Sequence, residues 1–416
     1  MAAEVGNVIQ LAAVGIGGYG GKLLQQLEEA RLPLRCRLVA AADTRLEAMP
    51  RPAEDLRSRG VRLYDDAIEM FEDQRGRCDA VYIASSIHTH APLTIAAARC
   101  GYHVHLEKPP AATVQEVDDM LAALDRAGRI CLVGFQALHG HMRLILDRIA
   151  AGRLGRVRQI TCSAGWPRNQ AYYQRNEWAG RLRCGERWVL DGPATNALAH
   201  QLAHMLAMAS GRPGALATPT AVRAELYAAG PVESHNAAAL EVRTAEGPVV
   251  RFYCTHANAE QFGPAIRVQA ERGAAEYVHA AGSTVRYDDG AEEHRDNDGT
   301  EQAEMIANFL GALRAGRGDE LRCSLAEARN YVLALDGAHE SSAAVHRIAE
   351  EHWRTEGDTP RERHVVVDGL DEALVRAERL GTMLSDLPDA PPWAVATEPF
   401  DLAGYRSFPQ RFRCDE

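Results

Sequence analysis

The chain has 416 residues, of which 46% are hydrophobic and 25% are charged, a usual composition for a globular protein long enough for two domains. Its formal net charge of −11 argues against nucleic acid or an anionic membrane as a partner, and no apolar stretch is long enough to cross a bilayer. Nine cysteines are scattered singly without a CxxC pair, so we expect reduced thiols, a cytoplasmic location and no metal site.

The first predicted elements are a strand, a glycine-rich turn and a helix. Residues 8–14 form a buried apolar run, and leucines recur at helical spacing from Leu23 onward. The intervening GIGGYG fits GxGxxG, in which glycines allow a tight turn and let a pyrophosphate approach a helix N-terminus. We therefore predict that a dinucleotide is contacted by Gly15, Ile16, Gly17, Gly18, Tyr19 and Gly20. Lys22 follows in the first turn and is expected to be an ordinary surface lysine.

A second strand, at 38–42, ends at Asp43, 23 residues after Gly20. A carboxylate at this spacing can bind the adenosine ribose, and Thr44 lies next to it. Because a carboxylate repels a 2′-phosphate, Asp43 favours NAD, whereas Arg45 leaves NADP use open. The alternative is that Asp43 is only a turn residue after a strand.

Strands and helices continue to alternate to residue 136. Strands are predicted at 79–86, 103–107 and 130–136, with helices at 89–101 and 113–128 between them, which indicates parallel βαβ units and a doubly wound Rossmann sheet. Ligands of such sheets bind beyond the carboxyl ends of the strands. Polar residues near those ends are predicted to line the cofactor: Ser85, Ser86, His90, Glu107, Lys108 and Gln136.

Lys108 is one of only two lysines, whereas 44 positions carry arginine. A lysine amine can lose its proton, but an arginine guanidinium stays charged at any working pH. The retained lysine therefore suggests a proton-transfer role.

Several motifs in this order resemble the Gfo/Idh/MocA family of NAD(P)-dependent oxidoreductases. They are GIGGYG, AAADT, DAVYIASSIHTHAPLTIAAARCGYHVHLEKP and VGFQ, and the resemblance extends over about residues 7–345. It implies hydride transfer between NAD and a carbinol carbon of a sugar, polyol or related cyclic compound. It also implies that Lys108 lies beside the nicotinamide and the substrate, that the Lys108–Pro109 bond is cis, and that the chain forms a homodimer or homotetramer.

The family's second catalytic element is a helix that carries DxGxH. Here the matching segment, VLDGPATNALAHQLAHMLAMASG, places His200 on the histidine and Asn196 on the aspartate. Asp191 is a candidate N-cap, and Asn196, His200 and His204 are expected on one helical face. Because asparagine cannot exchange a proton, the catalytic duty would fall on Lys108 and His200. His200 alone could be a core histidine, and a structural role is favoured for His204.

Residues 163–183 combine aromatic side chains with amide and guanidinium groups. Such a segment suits stacking on a polyhydroxylated ring, so Trp166 and Tyr172 are candidate substrate contacts beside Lys108, Asn196 and His200. A core or subunit interface is the equal alternative.

The remainder predicts a mostly antiparallel sheet from about residue 220, then helices near 300–315 and 325–349. The resemblance implies that the open face of this sheet makes the oligomer. An amphipathic helix with an apolar stripe and a Pro-rich aromatic strap follow; the stripe comprises Leu370, Leu374, Ala377, Leu380 and Leu384. We therefore expect an α/β protein with a dinucleotide-binding domain at 1–137, a substrate and oligomerisation domain at 138–349, and a packed C-terminal segment at 350–416.

Two further functions stay open beside a dehydrogenase. One is a glycosidase that oxidises its sugar transiently with bound NAD. The other is a pseudoenzyme that binds cofactor or sugar without turnover, because Asn196 replaces an aspartate.

Overall fold

A computed structural model describes residues 8–414 of the chain. Its strands are β1 Ile9–Val14, β2 Cys36–Ala42, β3 Arg62–Tyr64, β4 Ala80–Ile83, β5 His103–Leu106, β6 Cys131–Val133, β7 Val157–Gly165, β8 Arg183–Cys184, β9 Arg187–Trp188, β10 Pro219–Ala228, β11 Ala237–Thr244, β12 Val249–Thr255, β13 Phe262–Ala270, β14 Gly273–Val278, β15 Gly282–Tyr287, β16 Glu292–Asp296, β17 His346–Arg347, β18 Trp353–Glu356, β19 His364–Val367 and β20 Phe400–Asp401.

The helices complete the list of regular elements. They are α1 Gly18–Leu34, α2 Pro50–Ser58, α3 Ala67–Asp73, α4 Ile87–Arg99, α5 Val114–Ala127, α6 Arg143–Ala150, α7 Gln170–Tyr173, α8 Ala199–Ser210, α9 Glu301–Ala315, α10 Leu325–Ser342 and α11 Leu370–Leu380.

The chain divides into two compact units. Unit 1 comprises residues 8–111, 116–139 and 299–326, and unit 2 comprises 112–115, 140–298 and 327–414. Segment 299–326, which the sequence analysis assigns to the second domain, therefore belongs to unit 1. The reason is apolar packing: Met305, Phe309 and Leu310 of α9 share a buried cluster with Ile9 and Leu11 of β1.

Unit 1 contains a six-stranded parallel sheet with the order β3-β2-β1-β4-β5-β6. The order reverses at β1, which is the mark of a doubly wound fold, so the predicted Rossmann sheet is confirmed. All four residues of β4 are buried, as expected for a central strand covered on both faces. The carboxyl ends of β1, β4 and β5 lie side by side and carry the glycine turn, the serines and the EKP motif.

Unit 2 contains a ten-stranded sheet with the order β16-β15-β14-β13-β7-β12-β11-β10-β17, and β20 pairs with β10. Most neighbours are antiparallel, and β7 with β12 and β10 with β17 are parallel. The predicted second domain with a mostly antiparallel sheet is thus confirmed. Helix α8 packs on one face, against β7, β12 and β13.

The C-terminal segment packs on the same strands through helix α11. Thr161 Oγ1 donates to Oε1 of Glu378 on α11 at 3.0 Å, and Ser163 Oγ also bonds this carboxylate. The alternate residues of β7, Ile160 and Cys162, are fully buried on the opposite face. Helices α8 and α11 therefore cover opposite faces of the sheet.

The face of the sheet that α11 covers is called the outer face. A buried apolar cluster joins the strands on this face to the C-terminal segment. Its members include Tyr227, Ala237, Ala239, Tyr253, Leu370, Leu374, Ala377, Leu384 and Trp393. Leu380 was predicted in the same stripe, but it is 56% exposed because the helix ends there and the chain turns at Gly381 with φ 65°. Beyond this cluster the face becomes polar: Arg267 of β13 pairs with Glu276 of β14 at 3.3 Å and with Glu378 of α11 at 2.9 Å.

Within residues 8–414, no helix has both the length and the apolar character needed to cross a membrane.

Candidate active site

The glycine-rich turn after β1 is as tight as the motif predicts. Gly15 has φ +87°, and a Cβ there would lie 2.4 Å from the carbonyl oxygen of Ala84. A Cβ at Gly20 would lie 2.3 Å from the oxygen of Gly15, so the glycine at position 20 lets helix α1 approach the turn, and the glycine at position 15 lets the turn approach the end of β4. At Gly18, by contrast, an added Cβ would meet no atom within 4 Å. The turn is thus close-packed at Gly15 and Gly20 and open at Gly18, which fits a pyrophosphate at the start of α1.

The other residues near this turn differ in exposure. Ile16 is buried, whereas Gly17 is half-buried and a Cβ there would lie 2.6 Å from Sδ of Met49. Tyr19 is 45% exposed, and Lys22 is exposed on the surface of α1.

Asp43 follows β2 and reaches back to the glycine turn. Its Oδ2 accepts from the backbone N–H of Ile16 at 3.0 Å, and its Oδ1 accepts from the N–H of Arg45 at 2.9 Å. The carboxylate therefore fixes the turn, and each oxygen keeps a further lone pair for ribose hydroxyls. Thr44 beside it is exposed.

Glu107, the first residue of the EKP motif, forms a buried hydrogen bond with Tyr82 of β4. Tyr82 Oη donates to Glu107 Oε1 at 2.7 Å, and the backbone N–H of Lys108 donates to Glu107 Oε2 at 3.2 Å. Burial raises the pKa of Glu107, although the bond from Tyr82 opposes this shift. Glu107 thus orders the loop from below, while Lys108 is half-buried and its bond to Pro109 is cis, as expected.

His90 ties the serine loop to the EKP loop. The ring is 1% exposed, with Nδ1 2.8 Å from the oxygen of Pro109 and Nε2 3.1 Å from the oxygen of Ser85. Burial lowers the pKa of His90 to about 4, so the ring is neutral and its single N–H can donate to only one of the two carbonyls. Both ring nitrogens face protein backbone, which makes His90 a positioning residue for the cofactor loops.

The remaining predicted cofactor residues of unit 1 surround the same strand ends. Ser85 Oγ lies 2.7 Å from Thr89 Oγ1, and Ser86 is half-buried where α4 begins. Gln136 follows β6 in a short 3-10 turn, and its Oε1 is buried without a hydrogen-bond partner among the described residues. An unsatisfied amide at a strand end is suited to a ligand hydroxyl or amide.

In unit 2 the predicted catalytic helix is interrupted. Residues Pro193–Ala197 form a π-helical turn, in which the N–H of Leu198 donates to the oxygen of Pro193 at 2.8 Å, and α8 begins only at Ala199. Asn196 and His200 therefore do not share one continuous α-helical face, contrary to the sequence prediction. The i, i+4 spacing could not reveal the wider turn that follows Gly192 and Pro193.

Asp191 holds Asn196 rather than capping the helix. Its Oδ1 accepts from Asn196 Nδ2 at 2.8 Å, and its Oδ2 accepts from the N–H of Gly180 at 2.7 Å, whereas Gly192 occupies the N-cap position. Asp191 is 3% exposed, so its charge is stabilised by these donors. Position 196, where the resembled family has an aspartate, thus carries an asparagine that is hydrogen-bonded to the carboxylate of Asp191.

His200 is half-buried, and its ring centroid lies 5.7 Å from that of His204. His204 is 1% exposed, neither of its ring nitrogens has a hydrogen-bond partner among the described residues, and burial holds its pKa well below the usual value. His204 is therefore a neutral core residue, packed edge-on against Tyr277 at 5.6 Å.

The aromatic segment after β7 is built around stacked guanidinium groups. Arg175 lies 3.6 Å from the ring centroid of Tyr172, and Arg168 lies 4.8 Å from Tyr172 and 5.5 Å from Trp166. Burial and the charge of Asp191 raise the pKa of Tyr172, which brings this ring into the surroundings of Asn196. Trp166 Nε1 is buried and has no hydrogen-bond partner among the described residues.

Three of these contributions were missing from the sequence analysis. Tyr82 supports Glu107, Asp191 holds Asn196, and Arg168 covers the aromatic rings. A buried tyrosine needs a partner for its hydroxyl, so the strand sequence DAVYIASS contained a signal for the first.

Comparison with known proteins identifies the class. Residues 9–135 match the model of the oxidoreductase family with an NAD-binding Rossmann fold, and residues 142–276 match the Gfo/Idh/MocA C-terminal domain. The protein is therefore an oxidoreductase-type protein with a Rossmann domain that binds NAD. More particularly, the chain belongs to the Gfo/Idh/MocA family.

Curated relatives include enzymes that act on cyclic polyols. The chain is 28% identical over 153 residues to myo-inositol 2-dehydrogenase of Thermotoga maritima, covering 36% of this chain and 42% of that protein. It is 31% identical over 163 residues to inositol 2-dehydrogenase of Rubrobacter xylanophilus, covering 39% and 44%. The matched part thus spans less than half the length of these relatives.

Solved structures share the fold. The WlbA dehydrogenase of Bordetella pertussis, in complex with NADH and UDP-GlcNAcA, has a TM-score of 0.66 at 21% identity, covering 80% of this chain and 96% of that one. A levoglucosan dehydrogenase in complex with NADH has a TM-score of 0.67 at 20% identity, covering 80% and 97%.

Proposed function

We propose that the protein is an NAD-dependent dehydrogenase that acts on a CH–OH group of a sugar, polyol or related cyclic compound. The observation that carries the proposal is the position of Lys108: the only lysine of the strand-end loops follows β5 in an NAD-binding family fold. When bound, NAD would supply the acceptor for the hydride of the carbinol carbon. The protein must then remove the proton of the hydroxyl group, so that an alcohol becomes a carbonyl compound.

Lys108 is the candidate base for that proton. A neutral amine on a half-buried loop can accept it at Nζ, and the buried Glu107 beneath fixes the backbone of the same residue at 3.2 Å. Glu107 is not the candidate base, because its two oxygens accept hydrogen bonds from the Tyr82 hydroxyl and from the Lys108 N–H.

In unit 2, His200 would bond the reacting or adjacent oxygen, and Asn196 would orient the substrate. The bond from Nδ2 to Asp191 fixes the orientation of the Asn196 amide, which would present a donor and an acceptor of known direction to substrate hydroxyls. Tyr172 and Trp166 would contact the carbon face of the ring.

The cofactor would be held by the glycine turn and Asp43. Since Asp43 follows β2 next to the turn, we propose that NAD binds more tightly than NADP. Gln136, Ser85, Ser86 and Thr44 would supply further polar contacts.

The test is a screen of polyols and sugars, including myo-inositol, for NADH formation at 340 nm, run beside assays for aglycone release from glycosides and for cofactor that co-purifies. NADH formation with a polyol supports the dehydrogenase. Aglycone release without net NADH would identify the glycosidase instead. Cofactor binding without either reaction would indicate a pseudoenzyme.

We also propose a cytoplasmic location, because all nine cysteines are free thiols. A homodimer or homotetramer through the sheet would have to use the polar strands β13–β16, since the C-terminal segment covers the apolar part of the outer face. Light scattering after gel filtration measures this state.

A further inference from the structure

A pocket of about 670 Å³ lies within unit 2, in the size range of small-molecule sites. Four parts of the chain form its wall: the loop and short helix after β7, the loop between β10 and β11, the residue that follows β12, and the hairpin of β18 and β19 in the C-terminal segment. Its lining includes Arg168, Gln170, Tyr173, Arg181, His256 and Arg363.

The pocket has an excess of positive charge, although the chain as a whole is acidic. Arg168, Arg181 and Arg363 line it, against the single carboxylate of Glu233. Among residues 8–414, no carboxylate forms an ion pair with any of the three guanidinium groups. Arg363 also donates to the oxygen of Asp358 at 3.2 Å, and Arg168 stacks on Tyr172. Three guanidinium groups without a carboxylate partner at one pocket favour an anionic ligand, because their fork of donors matches carboxylate and phosphate oxygens.

Three residues that line this pocket also have a buried polar atom without a hydrogen-bond partner in the described part of the chain. His256 is 3% exposed, and its Nε2 has no hydrogen-bond partner in the described part of the chain. Gln170 Oε1 and Arg168 Nε are likewise buried and without a partner among these residues.

The C-terminal segment supplies one of the three arginines. The N–H of Gln170 donates to the oxygen of Arg363 at 2.7 Å, the N–H of Ala171 donates to the oxygen of Pro360 at 3.0 Å, and Asn169 pairs with His364 in a β-bridge. Arg363 lies beyond residues 142–276, which match the family's C-terminal domain. The positive pocket is thus completed by a part of the chain outside the matched family regions.

One wall of the pocket adjoins the candidate substrate residues. Gly180 lines the pocket, and its N–H donates to Asp191, which in turn accepts from Asn196. Two hydrogen bonds through the buried Asp191 thus connect the pocket wall to the side chain proposed to orient the substrate.

We propose that this pocket binds the acid group, a carboxylate or a phosphate, of an acidic sugar or polyol, which is the substrate of the dehydrogenase. The inference rests on the proposed function and narrows its substrate class from neutral to acidic compounds. Arg363 and Arg181 bind the oxyanion.

Titration calorimetry on the full chain tests the binding without turnover. The probes are inorganic phosphate, gluconate, glucose 6-phosphate and the neutral myo-inositol, which separate phosphate from carboxylate recognition. We expect an acidic probe to bind, and Arg363→Gln to weaken that binding at least about tenfold. Arg361→Gln is the matched control, because this exposed arginine is two residues away and does not line the pocket.

Equal binding of neutral and acidic probes, or an unchanged affinity in Arg363→Gln, would overturn the inference. NADH formation with neutral polyols alone would also overturn it and leave the proposed function standing. Arg363-dependent binding of an acid without NADH formation from any compound would remove the proposed function and, with it, the assignment of the acid as substrate.

Discussion

Replacing Glu340 with glutamine tests what anchors the C-terminal segment. Glu340 lies on α10 with 0% exposure, and its carboxylate accepts four hydrogen bonds from this segment. Oε1 accepts from Tyr405 Oη and the N–H of Gln410, both at 2.6 Å, and Oε2 accepts from the N–H of Arg411 at 2.5 Å and of Phe412 at 2.8 Å. A glutamine keeps the shape but turns one oxygen into a donor.

The free-energy change follows from this geometry. The best orientation places the new NH2 group toward Tyr405, whose hydroxyl can accept, but the N–H of Gln410 then loses its acceptor, at about 1–3 kcal/mol. The two bonds from Arg411 and Phe412 remain but become neutral, which removes about 1 kcal/mol each. Removing a buried charge offsets part of the loss. We expect a net destabilisation of about 2–4 kcal/mol, or a fall in Tm of roughly 4–16 °C for a unit of this size.

Thermal and urea unfolding followed by near-ultraviolet circular dichroism measure the effect, since Trp188 packs on Phe408 at 5.1 Å and reports on this region. The control is Glu350→Gln, an exposed position, where we expect less than about 0.5 kcal/mol. Limited proteolysis should cleave the Glu340→Gln variant earlier within the last residues. A free energy of unfolding equal to that of the control would refute the anchoring role.

The remaining predictions concern catalysis, cofactor, pH and assembly. Lys108→Arg should keep the fold and NAD binding but lower kcat about 10²–10⁴-fold, because arginine cannot accept a proton. His200→Ala should lower kcat by a comparable factor, and the double variant should lose less than the product of the two factors. Normal turnover in Lys108→Arg would assign the base to another residue. Asp43→Ala should reduce the preference for NAD over NADP in binding titrations, and equal affinities in the unmodified protein would contradict the assignment. Burial lowers the pKa of His90 and His339 to about 4 from 6.5. The stability that the two neutral rings contribute is therefore complete above pH 6.5 and is lost as the pH falls toward 4, by about 3 kcal/mol for each ring. A flat free energy of unfolding between pH 7 and 4.5 would contradict this. Truncation after residue 349 should expose the apolar cluster around Tyr253 and lower Tm or cause association, and an unchanged melting curve with an unchanged mass in solution would argue against it.

The first unit could be predicted in some detail because its signals are local. Gly15 and Gly20 need their missing side chains within one turn, and the alternation of strands and helices fixes a parallel sheet. The role of His90 was less accessible, since its sequence position suggests the cofactor while its ring bonds the carbonyls of Ser85 and Pro109. Side-chain direction depends on packing, which spacing alone does not give.

The second unit depends on contacts between distant residues. Asp191 looks like a helix cap in sequence, but its carboxylate bonds Gly180 and Asn196 because a π-helical turn follows. Arg363 approaches Arg168 across almost two hundred positions, through a hairpin that docks on the loop after β7. Such pairings follow from how the C-terminal segment folds back on the sheet, and no local pattern records them.

The contrast between the two lysines offers a spectroscopic handle on the site. Lys22 is exposed on α1, and Lys108 is half-buried in the loop after β5. Reductive methylation with ¹³C-formaldehyde labels amines and spares arginine, so a protein with 44 arginines would give methyl signals from only two side chains and the α-amino group. The Lys22 signal serves as an internal reference from an exposed side chain, and the second signal would follow the protonation of Lys108 directly, with no substrate needed.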